Sequence, residues 1–586
     1  VLPNKVTNIG IIDNGDVNFT LFWNSVADAS RYDIYCLDLQ TGEYVLKYST
    51  YSSYITLRNT DDPMQAFRIK AVANVMGVEY ESEFSDPVIK ATPPNAVDSL
   101  TVTGITASSI GLNWAAVDGA TGYLVYRSLA NKDDYKLVHI TTELTYTDTG
   151  LTSATGYKYK VCAYVYTEDI KGGFSPIVDI STNPAKPVLK YKAGDQKVRL
   201  TWSTVTGVSS YELYIGSADG NFELLTSISG GNGGSFIAEN LTTGEIYQFY
   251  IIAKRQYNGE IYESQSDIQS VLMEQIPATS NTPLLYPTEE DFYNSWAYQK
   301  LTTFFSKYVK YDKSYAIPGL ITTNVGGFSS TRMCPQGLTF ASDYLLMSAY
   351  DLAGEENSVI YVVGKNSKEL LTTLILPSKP HVGGLAFDGS NVWLTIGSRV
   401  AAIPISVIKK AAKSNEPYVY VDYSKVIAVG FTASYCSYYD GKLWIGTYNE
   451  LQSTNMYSFV IDDKDTDPKL TKKDTIVMPN RVQGVAFTDD GTLIISRSCQ
   501  TNTNMRGFLR QIDVYKPKFS KPVDGTIPLG DLVNSVSLPS MNEGIAINGK
   551  YLYVTYESAA FEDSIYKMDR ITAFKLTDVV KKKKTK

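Results

Sequence analysis

The sequence of 586 residues has few cysteines and only two histidines, and these shortages exclude several kinds of site. The cysteines are odd in number, widely spaced and never arranged as CxxC, so they indicate neither a disulfide framework nor a thiolate zinc site. They are Cys36, Cys162, Cys334, Cys436 and Cys499. With only His139 and His381 present, a three-histidine metal centre is excluded. We therefore expect no bound metal and no cofactor.

Long apolar runs and an excess of basic charge are also missing. No stretch reaches the roughly 18 apolar residues that a membrane helix needs, so we expect no transmembrane segment in this chain. A net charge of −7 gives no general attraction to nucleic acid or to anionic lipid, and we expect no nucleic-acid partner. The chain opens at Val1 without a signal peptide, which favours a mature or trimmed chain.

Tyrosine is abundant instead. The 44 tyrosines, against 21 phenylalanines, suit half-wet β-surfaces on which a ring packs while its hydroxyl stays hydrated. The composition of 44% apolar and 20% charged residues is typical of a folded protein. At roughly 150 residues per domain, the length predicts about four domains.

A repeat of about ninety residues fills the N-terminal half. Trp23, Trp114 and Trp202 are each followed nine residues later by a tyrosine. Those tyrosines open the runs YDIYCL, YLVYRS and YELYIG, whose alternation predicts half-buried β-strands.

The second and third repeats also have the spacing of a tyrosine corner, in which a tyrosine hydroxyl binds the backbone a few residues upstream. Leu151 lies six residues before Tyr157, and Leu241 lies six before Tyr247. Phe67 occupies this position in the first repeat, so we expect the hydrogen bond to be absent there.

The tryptophan, the tyrosine pair, the L(x5)Y step and a closing strand of the SDPVIKATPP type together resemble fibronectin type III domains. The resemblance implies three Ig-like β-sandwiches, at residues 1–93, 94–185 and 186–276. Their proline-bearing junctions, at Pro93-Pro94 and at Pro184 to Pro187, indicate a semi-rigid row. Such modules serve as spacers, adhesive surfaces or enzyme accessories, so the resemblance leaves their role open.

Residues 277–314 are predicted to form a linker with one short helix. Thr288 is the expected N-cap, because acidic residues up to Asp291 fill the following turn. Apolar residues from Phe292 through Trp296 to Val309 then recur mainly at three- and four-residue spacing. We therefore expect one face of the helix to be buried against a domain.

A second repeat begins near residue 335. Its copies are QGLTFASDYLLMSAYD, GGLAFDGSNVWLTIGS, CSYYDGKLWIGTYN, QGVAFTDDGTLIISRS and EGIAINGKYLYVTYES. Each copy predicts a strand, a tight turn and a second strand, and Asp-Gly or Asn-Gly pairs suit the turns in four of them.

This phrase resembles the NHL-, YncE- and lactonase-like β-propellers, which implies a propeller over residues 315–580. Five blades can be counted, and the segment SYAIPGLITTNV with a C-terminal strand would complete a sixth. The predicted fold is therefore all-β, with three β-sandwiches followed by a five- or six-bladed β-propeller.

In a propeller, residues just before the innermost strands and just after the second strands emerge on one face around the channel. Those before the first strands are Arg332, Gln336, His381, Tyr435, Arg481, Gln483, Asn542 and Glu543. Those after the second strands are Tyr350, Asp351, Tyr448, Asn449, Arg497, Tyr556 and Glu557. Aromatic rings stack on sugars while amides and arginines fix hydroxyls and carboxylates, so this face is the predicted ligand site. The alternative is a ring of hydrogen bonds that only closes the channel.

Motifs for catalysis are sparse. A Ser-His-Asp triad would have to use His381, and no GxSxG elbow accompanies it. Asp351, Glu543 and Glu557 could supply an acid and a base across the channel, as in glycoside hydrolysis. Glu543 and His381 are the pair to test, but the sequence favours a role without catalysis.

The leading hypothesis is an extracellular or cell-surface bacterial protein, associated with the cell wall, whose propeller face binds a glycan or a protein in adhesion. The sandwiches would then act as spacers. One alternative is a propeller glycoside hydrolase or lyase with accessory sandwiches. Another is a structural component of an envelope or filament.

Overall fold

The computed structural model describes residues 2–15, 17–59, 64–91, 93–165, 170–462, 467–499, 510–564 and 566–581. In these residues β-strands dominate, as predicted, and helices are few and short. The chain divides into two compact units, the first with residues 1–191, 200–236 and 246–270, and the second with residues 192–199, 237–245 and 271–586. Among the described residues, every helix is too short or too polar to cross a bilayer.

The first N-terminal module is a sandwich of two antiparallel sheets. Its strands are β1 (Gly10–Asp13), β2 (Asn18–Phe22), β3 (Arg31–Leu37), β4 (Tyr44–Thr50), β5 (Tyr54–Arg58), β6 (Met64–Val75), β7 (Val78–Glu81) and β8 (Val88–Ala91). One sheet has the order β1-β2-β5, and the other has the order β4-β3-β6-β7 with β8 also paired to β6. Trp23, Tyr32 and Phe67 belong to the apolar core.

The second and third modules repeat this order. The second has β9 (Leu100–Ile105), β10 (Ser109–Trp114), β11 (Gly122–Leu129), β12 (Lys136–Thr141), β13 (Thr145–Thr149), β14 (Gly156–Val165), β15 (Ile170–Phe174) and β16 (Val178–Ser181). The third has β17 (Leu189–Gly194), β18 (Lys197–Trp202), β19 (Ser210–Ser217), β20 (Phe222–Ser229), β21 (Gly234–Ala238), β22 (Ile246–Tyr257), β23 (Glu260–Gln265) and β24 (Gln269–Leu272). Their sheets are β9-β10-β13 with β12-β11-β14-β15, and β17-β18-β21 with β20-β19-β22-β23. All three modules are thus fibronectin type III-like β-sandwiches.

A tyrosine hydrogen bond recurs in all three sandwiches. The hydroxyls of Tyr32, Tyr123 and Tyr211 each accept a hydrogen bond from the backbone N–H six residues earlier, at 2.8 Å. Each ring also packs against the tryptophan nine residues before it, with centroids 5.3, 5.7 and 5.9 Å apart. The repeated spacing in the sequence therefore reflects one contact that ties the loop between two strands to the core.

The predicted tyrosine corner is present in the second sandwich. The hydroxyl of Tyr157 accepts a hydrogen bond from the backbone N–H of Thr152 at 3.0 Å. In the first sandwich Phe67 is buried at 3% exposure, and its side chain has no hydroxyl to make this bond.

Three short helices, rather than the single predicted one, precede the remaining sheets. They are α1 (Glu289–Tyr293), α2 (Trp296–Lys300) and α3 (Phe305–Tyr308). Thr288 caps α1 as predicted, because its hydroxyl accepts from the N–H of Asp291 at 3.1 Å and its own N–H donates to the Asp291 carboxylate. The prediction of one continuous helix was wrong because Ser295 caps a new helix, accepting from the N–H of Tyr298 at 3.2 Å.

The apolar side chains of this helical segment pack on the sheets of the second unit. Phe292 and Phe305 are fully buried in a cluster that includes Val554 and Phe574. Trp296 differs from the expectation, because it is 48% exposed. The break between α1 and α2 turns this residue away from the buried face.

The second unit contains the remaining strands. They are β25 (Tyr315–Ala316), β26 (Thr323–Val325), β27 (Phe328–Ser330), β28 (Met333–Ala341), β29 (Tyr344–Asp351), β30 (Val359–Gly364), β31 (Leu370–Ile375), β32 (Leu385–Phe387), β33 (Asn391–Ile396), β34 (Arg399–Pro404), β35 (Tyr418–Tyr420), β36 (Lys425–Ala428), β37 (Tyr435–Tyr439), β38 (Lys442–Gly446), β39 (Thr454–Asp462), β40 (Lys469–Met478), β41 (Val482–Phe487), β42 (Leu493–Ser498), β43 (Arg510–Tyr515), β44 (Leu532–Ser537), β45 (Asn542–Asn548), β46 (Tyr551–Tyr556) and β47 (Arg570–Lys575). Two further helices are α4 (Ile405–Ala412) and α5 (Leu576–Val580).

These strands form five sheets and a separate hairpin of β26 and β27. The sheet orders are β28-β29-β30-β31-β35, β32-β33-β34-β36, β37-β38-β39-β40, β41-β42-β43-β44 and β45-β46-β47-β25. In the fifth sheet, β25 pairs with β47 through Tyr315 and Ile571. The segment that was expected to complete a sixth blade is divided instead, because Tyr315–Ala316 pairs in the fifth sheet and Thr323–Val325 pairs with Phe328–Ser330 in the hairpin.

The first strands of the five sheets contact one another in a cyclic order. β28 contacts β32, β32 contacts β37, β37 contacts β41, β41 contacts β45, and β45 contacts β28 again. A cavity of about 170 Å³ is lined by residues from all five strands. These residues are 338–340, 385–387, 437–438, 485–487 and 545–547.

Glycines at the start of these strands allow the backbones to approach closely. They are Gly337, Gly384, Gly484 and Gly544. A Cβ atom added at Gly384 would lie 2.4 Å from the backbone nitrogen of Cys436, and one added at Gly544 would lie 2.6 Å from the carbonyl oxygen of Gln336. Both neighbours are backbone atoms of the adjacent first strand, so a side chain at either position would push two strands apart.

We predict that Gly384→Ala lowers the free energy of unfolding by about 1–3 kcal/mol, because the added methyl group meets rigid backbone. Gly104→Ala is the matched control, since a Cβ atom added there would have nothing within 4 Å and its φ is not positive. The control should change stability by no more than about 0.5 kcal/mol. Calorimetric unfolding of the full chain measures both, and a wild-type melting profile for Gly384→Ala would contradict the close approach.

Candidate functional site

Polar side chains from two sheets meet beside the glycine positions. Cys334 and Gln336 lie on β28, Glu543 lies on β45, and Glu557 directly follows β46. We call these four residues the glutamate cluster. The strands are irregular at this point, because the register shifts between Pro335 and Leu338 and again between Asn542 and Ile545. Such bulges redirect side chains, which explains how Gln336 and Glu543 come to lie beside Glu557.

Glu557 accepts two hydrogen bonds on one carboxylate oxygen. The amide Nε2 of Gln336 donates to its Oε2 at 3.0 Å, and the thiol of Cys334 donates to the same oxygen at 3.1 Å. The other end of the Gln336 amide accepts a hydrogen bond from Nε2 of His381 at 2.6 Å. The exposed ring of His381 is thereby connected through one amide to a buried carboxylate.

The two glutamates are buried as a pair. Glu543 is 3% exposed and Glu557 is 1% exposed. In the described part of the chain, Oε1 of each has no hydrogen-bond partner. Apart from the hydrogen bond between the two carboxyls, these oxygens receive no donor from the described protein.

Burial and mutual repulsion decide the protonation of this pair. Burial raises the pKa of Glu543 well above its usual range, and the charge of Glu557 and a hydrogen bond to it raise the pKa further. Burial also raises the pKa of Glu557, but hydrogen bonds from Cys334, Gln336 and Glu543 oppose that rise. The pair therefore binds a proton more readily than exposed carboxyls do, and Glu543 more readily than Glu557, since two adjacent carboxylates cannot both ionise.

The remaining neighbours are neutral. Burial, followed by the charge of Glu557, keeps the pKa of the Cys334 thiol well above its usual range. Burial lowers the pKa of His381. The cluster therefore contains no positive charge and at most one negative charge.

Aromatic side chains form the edge of the cluster. The rings of Tyr350 and His381 have centroids 4.3 Å apart, and Tyr350 is half-buried. Tyr448 is also half-buried, and burial together with the charges of Glu450 and Glu543 raises its pKa to about 12. We call Tyr350, His381 and Tyr448 the aromatic rim.

Two of the predicted site residues are engaged elsewhere. Arg497 binds the carboxylate of Asp513 at 2.7 Å and the carbonyl oxygen of Asn480 at 2.9 Å. Asp351 accepts hydrogen bonds from the hydroxyl of Ser330 at 2.9 Å and from the backbone N–H of Glu355 at 2.8 Å. Both contacts hold loops in place, and ligand binding by these two residues stays a prediction.

Tyr556 also departs from the prediction that three tyrosines occupy equivalent exposed positions. It is fully buried in the apolar cluster beneath the helices, and its hydroxyl lies 2.8 Å from Oγ1 of Thr572. The physical reason is its place in the strand. Tyr556 is the last paired residue of β46, whereas Tyr448 lies beyond the end of β38.

Three further predicted residues lie away from the glutamate cluster's hydrogen bonds. Arg332 is exposed, and Gln483 is half-buried at a bulge of β41. Arg481 donates from Nε to the carbonyl oxygen of Glu450 at 3.1 Å, and its charge lowers the pKa of Tyr448. Arg481 and Arg497 thus bind outside an acidic centre.

Cys334 is the residue that the sequence analysis missed. Its position two residues before Gln336 in one strand was the available signal, because alternate residues of a strand share a face. Within the described ranges, no group of three or more histidine, cysteine, aspartate or glutamate side chains is placed to hold a metal ion.

Comparison with known proteins gives partial matches. No protein-family model matches the chain. Exoglucanase B of Cellulomonas fimi is 27% identical in an alignment of 263 residues, and this alignment covers 40% of this chain and 22% of that protein. Chitinase A1 of Niallia circulans is 29% identical in an alignment of 183 residues, which covers 28% of this chain and 24% of that protein. The chain thus spans less than a quarter of the length of either relative.

A solved structure of chicken CNTN1 FN1–FN3 domains is 18% identical. It covers 47% of this chain and 100% of its own, with a TM-score of 0.20.

We predict that part of the chain's stability decreases as the pH rises. The folded pKa of Glu543 lies above the ordinary value of 4.5, so folding takes up a proton. The stabilisation of the folded state by this proton is complete only below about pH 4.5. The stabilisation is lost as the pH rises through the folded pKa, by at most about 1.4 kcal/mol per pH unit. Urea unfolding between about pH 5 and 8 measures this slope.

Glu543→Gln should remove this part of the pH dependence, because an amide does not titrate. Glu369→Gln, at an exposed position, should keep the wild-type slope. If the free energy of unfolding varies with pH in the same way for wild type and Glu543→Gln, Glu543 has an ordinary pKa.

Proposed function

We propose that the chain is an extracellular or cell-surface glycan-binding protein. In this proposal the five sheets are the blades of a five-bladed β-propeller over residues 315–580, and residues 277–314 are the linker. The three sandwiches, at residues 1–93, 94–185 and 186–276, act as spacers. The ligand binds at the aromatic rim, above the glutamate cluster.

The cyclic order of the first strands supports the propeller. In a propeller each blade's innermost strand faces the central channel, and neighbouring innermost strands are adjacent. The shared cavity of about 170 Å³ and the glycines between neighbouring first strands have the same explanation. β25 would then join the two ends of the propeller within one blade.

The aromatic rim is the observation on which the ligand class depends. Sugars present apolar C–H faces, which stack on aromatic rings, and hydroxyls, which need hydrogen-bond partners. Tyr350, His381 and Tyr448 provide rings with solvent access, and the two glutamates provide acceptors beside them. Anionic sugars fit poorly, because the cluster is itself negative.

Binding explains the carboxyl pair better than hydrolysis does. Glycoside hydrolases hold their two carboxyl groups about 5 to 9.5 Å apart so that sugar and water fit between them. Glu543 and Glu557 are hydrogen-bonded to each other, and the third candidate, Asp351, caps a loop. A glycoside hydrolase or lyase is therefore the weaker candidate for this site.

The partial relatives add support, because their names denote enzymes that act on glucan and on chitin. A chain that shares segments with such enzymes fits a polysaccharide-rich extracellular setting. The sandwiches would then hold the glycan site away from the cell wall.

We predict that Tyr448→Ala weakens glycan binding by about fivefold to thirtyfold, because loss of one stacked ring removes about 1–2 kcal/mol. Tyr457→Ala is the matched control, since Tyr457 is also half-buried in the second unit but packs against Phe431, with centroids 4.8 Å apart. A glycan array probed with the full chain and both variants measures the effect. Retention of all glycan signals by Tyr448→Ala would refute the site, and no signal from the wild type would refute the ligand class.

A further inference from the structure

The glutamate cluster lacks a counter-charge. Among the described residues, the groups that act on the carboxyls of Glu543 and Glu557 are the two glutamates themselves, Cys334 and Gln336. None of these is a cation. The arginines predicted for this face, Arg481 and Arg497, bind Glu450 and Asp513 instead.

A buried negative charge without a cation is costly, and so is a buried acceptor without a donor. Both conditions apply here. Glu557 has no cation beside its carboxyl when it ionises, and Oε1 of Glu543 and Oε1 of Glu557 are buried and, apart from the bond between the two carboxyls, unpartnered within the described chain. A ligand that brings one positive charge and several N–H donors would remove both costs.

We propose that the glutamate cluster binds a primary ammonium group, so that the preferred ligand is a glycan containing amino sugars with free amines. This inference rests on the proposed function for its glycan part. An ammonium has three donors and no acceptor, which suits two carboxyl oxygens that receive no donor from the rest of the protein. It is also a compact point charge, unlike a planar guanidinium.

The rim and the cluster divide the recognition between them. Tyr350, His381 and Tyr448 stack on the sugar ring, and the amine substituent reaches Glu557 and Glu543. An N-acetylated sugar lacks the positive charge, and a uronic acid would place a second negative charge beside Glu557. The site therefore ranks free amines above neutral sugars and neutral sugars above acidic ones.

Calorimetric titration of the full chain with three oligosaccharides tests this ranking. The probes are the glucosamine tetramer, the N-acetylglucosamine tetramer and cellotetraose. We expect the glucosamine tetramer to bind at least about tenfold more tightly than the other two, because a hydrogen bond to a charged group is worth roughly that factor.

Glu557→Gln should abolish the preference for the glucosamine tetramer over cellotetraose, because an amide carries no negative charge. Glu369→Gln, which removes an exposed carboxylate of the same unit, should keep the preference. Equal affinity for all three oligosaccharides, or a preference that survives Glu557→Gln with an unchanged melting temperature, would overturn the ammonium site while leaving glycan binding in place.

A simple amine separates this inference from the proposed function. Ethanolamine should raise the melting temperature of the wild type and of Glu369→Gln but not that of Glu557→Gln. If ethanolamine acts in this way and no oligosaccharide binds, the ammonium site stands and the glycan proposal fails. If ethanolamine has no effect on the wild type, the ammonium site is overturned.

Discussion

The second unit depends on how closely five β-strands approach one another at a single level. At Gly384 and Gly544 the neighbouring backbone lies at distances that exclude even a methyl group. Close approach brings the strand ends together, and with them the side chains that flank the glycines. Glu543 directly precedes Gly544 and Gln336 directly precedes Gly337, so the same constraint that sets the backbone spacing also brings an amide and two carboxyls into one buried cluster.

This dependence also explains why the cluster can be acidic. A carboxyl pair that shared a proton at the surface would separate at little cost. Here the strands that carry Glu543 and Gln336 are held by backbone contacts, so the repulsion between carboxylates is relieved by protonation rather than by movement. The thiol of Cys334 and the amide of Gln336 then stabilise the remaining charge on Glu557.

Much of the architecture follows from repeat spacing, because a repeated contact requires a repeated residue. The tryptophan and tyrosine pairs identified three sandwiches, and the glycine-led phrases identified the hairpins of the second unit. The helical segment was less predictable, since apolar spacing does not reveal where Ser295 starts a new helix. Tyr556 and Tyr448 look equivalent in the sequence but differ by a few residues in where pairing ends, and this decides between core and surface. The charge of the site was not predictable either, because the partners of Arg497 and Arg481 are set by tertiary contacts.

The pairing of β25 with β47 has a consequence for how the chain is made. The strands of each sandwich lie within one continuous stretch, so a sandwich can form as soon as its last strand leaves the ribosome. The fifth sheet instead joins a strand near residue 315 to one near residue 570. β25 therefore remains unpaired while the strands of four other sheets are synthesised. The fifth sheet is completed only after β47 has been translated.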